Sequence, residues 1–318
     1  MHQMHAGRTI WIARCGLSTP CYTLAMEWWF LAAVGGAIAS GIGAFTIKVV
    51  AKNGYDSELY IFYSAVISVL LILPVAFWLS GWHAMAWGAM GFAFVGGMIA
   101  ATVGIMKVYA LRYIDTTIYF PLYKLLSPAF AILAGLLLFG ERFSWLEWLG
   151  LLMGLFVPLV LITPAERLRQ TNLTLGLILV GITSVATAFT AVFNQYAVNL
   201  SGGDVYWITV FTSLGIMLGA MLTSLYKRGW VSYRTSFAEH TTLKLLHISF
   251  WRSVVMSIAF ILFLFGLTLG GDLGVVYTIY SLSILVPIVL AIYYYSEHWN
   301  WQKVAAVAFS VAALVLLG

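Results

Sequence analysis

Long apolar stretches, separated by short polar breaks, run along almost the whole chain. A helix needs about 20 apolar residues to cross the roughly 30 Å hydrocarbon layer of a bilayer. The continuous runs are unlike a membrane β-barrel, whose strands alternate apolar and polar positions. The pattern predicts an all-α integral membrane protein with ten transmembrane helices. They are expected at residues 28–50, 57–80, 86–110, 115–139, 145–163, 173–199, 204–226, 245–270, 273–295 and 300–317.

Composition agrees with this membrane assignment. Hydrophobic residues make up 62% of the 318 positions and charged residues only 8%, and the mean hydropathy is +0.97. Soluble domains carry about 25% charged residues. We therefore expect a multi-pass protein of a bacterial inner (plasma) membrane.

The first 27 residues do not follow the apolar pattern. They contain Arg8 and Arg14 but lack the apolar core of a signal peptide. They form a predicted N-terminal tail, residues 1–27. Met26 directly precedes the first span, which favours a start there, so that residues 1–25 would not be translated.

The two halves of the chain repeat one another in register. A shift of 156 places aligns GERFSW at 140–145 with SEHWNW at 296–301, and Ser127 with Ser283. A shift of 144 aligns the first predicted helix with the sixth. Because five is odd, the second half must enter the membrane from the opposite side. The halves are thus predicted to be inverted repeats, which are typical of secondary transporters. The predicted repeats are residues 28–163 and 173–318.

Two segments resemble the marks of a known family. The segment LLLFGERFSWLEWLG at 136–150 and its weaker echo YYYSEHWNW at 293–301 resemble the drug/metabolite transporter superfamily, specifically its ten-helix EamA-type branch. The second motif departs from the usual pattern, since Ser296 replaces a glycine. The resemblance implies two five-helix repeats around a central cavity and movement of small metabolites by alternating access. It leaves the substrate open, because the superfamily includes amino-acid exporters alongside sugar-phosphate and nucleotide-sugar carriers.

All eleven acidic residues fall in loops or at predicted helix ends. Exchange of protons for organic cations usually needs a buried carboxylate, and the related small multidrug resistance proteins carry such a Glu in their first helix. The first helix here, LAAVGGAIASGIGAFTIK, has none, so export of drug cations is disfavoured. We interpret Glu141 as structural and predict a capping box from Ser144 to Glu147.

Lys124 is an ionisable residue predicted near the bilayer midplane. It follows Asp115 by nine residues, which places it roughly 13 Å deep at about 1.5 Å per residue. A lysine at that depth normally faces a cavity or a partner, so its ammonium is a candidate to bind a substrate carboxylate or phosphate. Two alternatives stay open. Lys124 could snorkel to the surface, or it could bind a carbonyl freed by Pro121 or Pro128.

The repeat gives the predicted cavity a second wall, because it aligns Lys124 with Tyr280 in the ninth helix. An aromatic, hydroxylated lining with one positive charge suits a small zwitterion or organic acid. The predicted substrate-binding residues are Lys124, Tyr123, Tyr119, Tyr280, Tyr277, Ser283, Asn194 and Arg252. Helix packing is the alternative for Asn194. Snorkelling is the alternative for Arg252 and the expectation for Lys107, since both lie nearer helix ends.

Other functions find little support in the sequence. The six histidines lack metal-ligand spacing, no Gly-rich phosphate loop follows a strand, and no catalytic constellation is present. We therefore predict no enzyme, metal, cofactor or nucleic-acid partner. The predicted function is secondary transport of a small metabolite, carboxylate-bearing such as an amino acid or organic acid, across the lipid bilayer. The alternative is a non-transporting membrane protein of the same fold, either a lipid-active enzyme or an assembly subunit. The sequence leaves a homodimer open.

The orientation in the membrane is predicted from the basic residues. Twelve of the sixteen Lys and Arg residues fall on one side if the helices alternate. The positive-inside rule puts that side in the cytoplasm and both termini outside, whereas the family resemblance suggests cytoplasmic termini.

Overall fold

The structure is a computed structural model that describes residues 19–52, 55–81, 86–110, 116–160, 173–240, 243–286, 289–290 and 301–317. These residues are almost entirely helical and include no strand. The α-helices in this part of the chain are α1 Thr19–Lys52, α2 Ser57–Leu79, α3 Trp87–Ala110, α4 Thr116–Ala134, α5 Trp145–Val160, α6 Leu173–Ser201, α7 Val205–His240, α8 Leu243–Thr268, α9 Leu273–Ser281 and α10 Trp301–Leu317. The all-α prediction is confirmed for the described residues.

Seven of the described helical segments are long and apolar enough to cross a membrane. They are Trp28–Thr46, Glu58–Leu79, Trp87–Lys107, Tyr119–Phe139, Thr174–Ser201, Val205–Tyr226 and Leu243–Thr268. Three shorter apolar helices are Trp145–Val160, Leu273–Ile284 and Val304–Leu317. The protein therefore passes the membrane several times, and a count of ten crossings stays a prediction.

Two helices extend beyond their predicted spans. α1 begins at Thr19, and α7 continues to His240 although its apolar part ends at Tyr226. Hydropathy marks where a helix leaves the hydrocarbon, whereas a helix can continue in water as long as helix propensity permits. The loop that the sequence suggested after residue 226 is thus helical up to His240. Residues 1–18 of the predicted tail and residues 293–300 of the second motif lie outside the described residues.

The first five helices pack chiefly against the last five. α3 lies against α6 and α7, α2 against α7, α1 against α8, and α5 against α10. Some of these contacts occur in matched pairs: α1 with α8 corresponds to α6 with α3, and α4 with α6 corresponds to α9 with α1. The apolar core is therefore shared between the two halves of the chain.

α3 and α7 cross at two glycines. A Cβ atom at Gly97 would collide with the carbonyl oxygen of Thr212, and one at Gly215 would collide with the carbonyl oxygen of Phe94. Small residues let helix backbones approach closely inside a membrane, where packing rather than hydrophobicity drives association. This close crossing also joins the two halves.

α4 and α9, the helices expected to hold the site, differ in regularity. α4 continues through Pro121 and Pro128, then widens into a π-helical turn at Gly135–Phe139. α9 tightens into a 3₁₀ turn at Leu282–Ile284. The break in the α-helical pattern nearest the candidate site therefore lies in α9 rather than at the prolines of α4.

Candidate functional site

Lys124 of α4 faces α9. It lies about 12 Å along α4 from Thr116. Its Nζ donates a hydrogen bond to Ser283 Oγ at 2.8 Å and lies 5.9 Å from the ring centroid of Tyr280. Ser283 is buried in the 3₁₀ turn. The structure thus brings together Lys124, Tyr280 and Ser283, as the alignment of the repeats suggested.

Three further predicted tyrosines contact neighbouring helices. Tyr119 and Tyr123 of α4 contact α6, and Tyr277 of α9 contacts α4. The rings of Tyr119 and Tyr123 are stacked, with centroids 5.9 Å apart. Tyr277 shares a 3.0 Å hydrogen bond with Ser127, one turn after Lys124 on α4. The partners on α6 are Thr183 for Tyr119, at 3.1 Å, and Thr187 for Tyr123, at 2.9 Å. We call Lys124, Tyr119, Tyr123, Tyr277, Tyr280 and Ser283 the lysine–tyrosine cluster.

Lys107 reaches this cluster from α3. Its Nζ lies 4.0 Å from the ring centroid of Tyr123, within the range of a cation–π interaction. Its charge is also close enough to Lys124 for the two ammonium groups to repel each other. The sequence analysis missed Lys107, because its place near the end of α3 predicted snorkelling. Only the position of its side chain over the Tyr123 ring reveals the contact.

In the part of the chain that the structure describes, no carboxylate forms an ion pair with Lys107 or Lys124. Several acids are instead used at helix starts. Asp56 accepts hydrogen bonds from the first turn of α2, and Asp204 does so for α7. Glu147 accepts from the Ser144 amide at 2.5 Å while Ser144 Oγ accepts from the Glu147 amide at 3.2 Å. The predicted capping box is therefore confirmed.

Glu141 connects the two halves. Its carboxyl oxygens accept hydrogen bonds from the backbone amides of Leu273 at 2.5 Å and Gly274 at 3.1 Å, in the first turn of α9. The pKa of Glu141 is raised to about 7, chiefly by burial. The two amides lower this pKa, and the charge of Asp272 adds to its rise. The structural role expected for Glu141 agrees with this geometry. The sequence could not identify the capped helix, which lies 132 residues away.

Asn194 and Arg252 have their described contacts elsewhere. Asn194 is buried on α6, and its Oδ1 would lie 3.8 Å from a Cβ atom added at Gly96 of α3. The Arg252 guanidinium carbon lies 4.7 Å from the ring centroid of Tyr60 on α2. Neither residue joins the lysine–tyrosine cluster in these contacts. Their roles in substrate binding stay predictions.

The lysine–tyrosine cluster is enclosed only in part. Tyr119, Tyr123 and Ser283 are buried, whereas Lys124, Tyr277 and Tyr280 are half-buried. A groove of about 850 Å³ opens elsewhere, between α2 and α8, and includes none of the predicted site residues. Its lining is Tyr55, Ile67, Leu243, Lys244, Leu246, His247, Ile248 and Phe250.

Comparison with known proteins gives three results. The family described as the EamA-like transporter family matches residues 27–163. A comparison with curated proteins found no match. Among solved structures 29 chains match, and one, described as "Crystal structure of protein", covers 94% of this chain and 96% of its own with a TM-score of 0.67 and 15% identity. That identity shows a shared fold alone. The apolar helices identify a multi-pass integral membrane protein, and its residues 27–163 are similar to the EamA-like transporter family.

Proposed function

We propose that the protein is a secondary transporter of a small carboxylate-bearing metabolite, such as an amino acid or organic acid. The observation that carries this proposal is the position of the Lys124 ammonium, which lies inside an apolar segment and binds the uncharged hydroxyl of Ser283. A charge in such a place costs free energy unless an opposite charge compensates it. A substrate carboxylate supplies that charge.

The surrounding side chains suit the rest of such a substrate. The rings of Tyr123, Tyr277 and Tyr280 offer apolar and aromatic surface. The hydroxyl groups of Tyr277 and Tyr280 can donate to a second carboxylate oxygen. Small-molecule sites are usually apolar with a few placed polar groups. The cluster has that composition.

The contact between α4 and α9 favours transport by alternating access. Lys124 of α4 now donates to Ser283 of α9, so separation of the two helices would free its ammonium for a substrate. Opening towards one side of the membrane would expose Lys124 to that side. Transporter sites lie at the interface of repeats, close to breaks in helices, and the 3₁₀ turn of α9 at Ser283 is such a break.

Ten spans in two inverted five-helix repeats belong to the same proposal. The matched pairs of helix contacts, α1 with α8 and α6 with α3, support it, since a two-fold relation between the halves exchanges these pairs. The family match also ends at residue 163, where the sequence predicts the first repeat to end. The solved structure of the same fold covers both halves.

Reconstitution into liposomes tests the function. Vesicles preloaded with one member of a panel of labelled amino acids and organic acids are assayed for exchange with external substrate. We expect exchange of at least one carboxylate. Lys124→Ala should lower it about tenfold to a hundredfold, because a hydrogen bond to a charged group is lost, and Lys124→Arg should retain part. Lys244→Ala is the matched control, since Lys244 is an exposed lysine outside the cluster.

Two results would contradict the proposal in different ways. Folded protein that exchanges no member of the panel would favour the non-transporting alternative. Exchange that is unchanged in Lys124→Ala would make Lys124 a packing residue and would move the substrate site elsewhere.

A further inference from the structure

We infer that the preferred substrate is a dianion, such as a dicarboxylate or a phosphate monoester, rather than a monocarboxylate or a zwitterionic amino acid. The inference rests on the proposed transport function. It adds the number of negative charges that the site is built to receive.

Two lysines lie next to Tyr123, Lys107 through space and Lys124 along the chain. Lys107 Nζ from α3 lies over the ring of Tyr123 at 4.0 Å. Lys124 follows Tyr123 directly in α4 and binds Ser283 of α9 at 2.8 Å. Three helices thus bring two positive charges to the same small region, although the sequence predicted only one.

The described surroundings of these two lysines supply contacts but no counter-charge. Within the described residues neither lysine has a carboxylate partner, and the partners found are an aromatic ring and a hydroxyl group. Like charges repel more strongly in a protein interior than in water, because the effective dielectric constant is lower. One bound negative charge would neutralise one ammonium and leave the other uncompensated.

A dianion compensates both ammonium groups at once. A monocarboxylate supplies one charge, and a zwitterionic amino acid also brings an ammonium of its own, which the two lysines repel. No described carboxylate of the cluster is placed to receive that third positive charge. The charge balance therefore ranks a dianion first, a monoanion second and a neutral zwitterion last.

A matched set of probes tests this ranking in the reconstituted protein. Succinate, butyrate and 4-aminobutyrate have the same carbon chain and differ in net charge near pH 7, and sn-glycerol 3-phosphate tests a phosphate dianion. Shorter and longer homologues of three to six carbons allow for a different site length. We expect the best dianion to compete for exchange at a concentration about tenfold or more below that of the matched monoanion, since each charged hydrogen bond contributes on that scale.

Lys107→Gln assigns the second charge. It should remove the preference for dianions, so that succinate and butyrate compete about equally, while exchange of the monoanion through Lys124 continues. Lys107→Arg should keep the preference, and Lys244→Gln, which removes an exposed charge outside the cluster, should leave it unchanged. The succinate-to-butyrate ratio is independent of how much protein folds, so a poorly folding variant still gives an answer.

The possible failures are distinguishable. A wild-type preference for butyrate or 4-aminobutyrate overturns the inference while transport itself stands, and so does a Lys107→Gln variant that weakens all probes equally. Absence of any exchange by folded wild-type protein overturns the proposed function and this inference with it. Competition by the dicarboxylates alone, or by the phosphate ester alone, supports the inference and identifies which dianion the site takes.

Discussion

Glu141 and Lys124 both connect the α4 region to α9, but the hydrogen-bonding groups of the two side chains are paired to different degrees. At the start of α9, two backbone amides donate to the Glu141 carboxyl group. Near the end of α9, Lys124 uses one of the three N–H donors of its ammonium on the Ser283 hydroxyl. The Glu141 contact supplies an acceptor for amides at a helix start, which have no partner within their own helix. The Lys124 contact supplies no counter-charge for the ammonium among the described residues.

The difference suggests that the Glu141 carboxyl group serves stability and the Lys124 ammonium group serves function. The Glu141 contact holds the two halves together and needs no ligand. The Lys124 contact is incomplete until an anion arrives, under the proposed function. We therefore expect substitutions at the two residues to have opposite effects on stability.

Replacement of Lys124 by Met should have the largest effect. The apolar side chain removes a charge from near the start of an apolar segment. The gain is at most about 3 kcal/mol, the cost that insertion scales assign to a lysine in the middle of a membrane helix. We expect the unfolding temperature of the purified protein to rise while exchange in liposomes is lost. Thermal unfolding and exchange are measured on the same preparation. A fall in stability would mean that Lys124 is already compensated in the resting protein.

Replacement of Glu141 by Ala should act in the opposite direction. It removes the acceptor for two amides of α9 and should lower the free energy of unfolding by about 2 kcal/mol, as lost helix caps do. Thermal unfolding at pH 6 measures the change. Exchange per folded molecule should persist, because Lys124 and Ser283 are unaltered. An unchanged unfolding temperature would show that the contact of Glu141 with α9 does not stabilise the protein.

The pH dependence of stability sharpens this assignment. Burial raises the pKa of Glu141 from 4.5 to about 7, so between these values the folded protein holds a proton that the unfolded chain releases. The contribution of Glu141 to stability is therefore complete below about pH 4.5 and is lost as the pH rises through about 7. The unfolding temperature of the wild type minus that of Glu141→Gln should decrease from pH 5 to pH 8. A constant difference would rule out titration of Glu141.

The smallest effect is expected at the capping box, which lies at the start of α5, within one half of the chain. Ser144→Ala removes the acceptor for the Glu147 amide and should cost about 1 kcal/mol. Thermal unfolding again measures it. A loss of stability larger than that of Glu141→Ala would reverse the proposed ranking. The local cap would then stabilise the protein more than the contact of Glu141 with α9.

The sequence predicted the helices well because the bilayer imposes a simple rule on them. A segment that crosses hydrocarbon must be long, apolar and helical. Most of the described helices therefore begin within a few residues of the predicted start of a span. The rule says nothing about helices in water, so it missed the extension of α7 to His240. It also does not distinguish an α-helix from the 3₁₀ turn at Leu282–Ile284, which depends on packing.

The candidate site was predictable only in part, for a different physical reason. Lys124 stood out because an isolated charge in an apolar run is costly, and the repeat added Tyr280 and Ser283. Lys107 did not stand out, because a lysine near a helix end can reach water, and only its distance to Tyr123 shows where it lies. The same holds for Glu141, whose capping partners lie on a helix that is distant in sequence.

The interleaving of the two halves has a consequence for synthesis. α1, made first, has its main neighbour in α8, and α3 has its main neighbours in α6 and α7. The earliest helices must therefore wait in the bilayer, without their final partners, until most of the chain has been translated and inserted. Contacts between residues far apart in sequence form late in folding. A truncated chain that stops after α5 would present these unpaired helix faces to the membrane and to the cell's quality-control proteases.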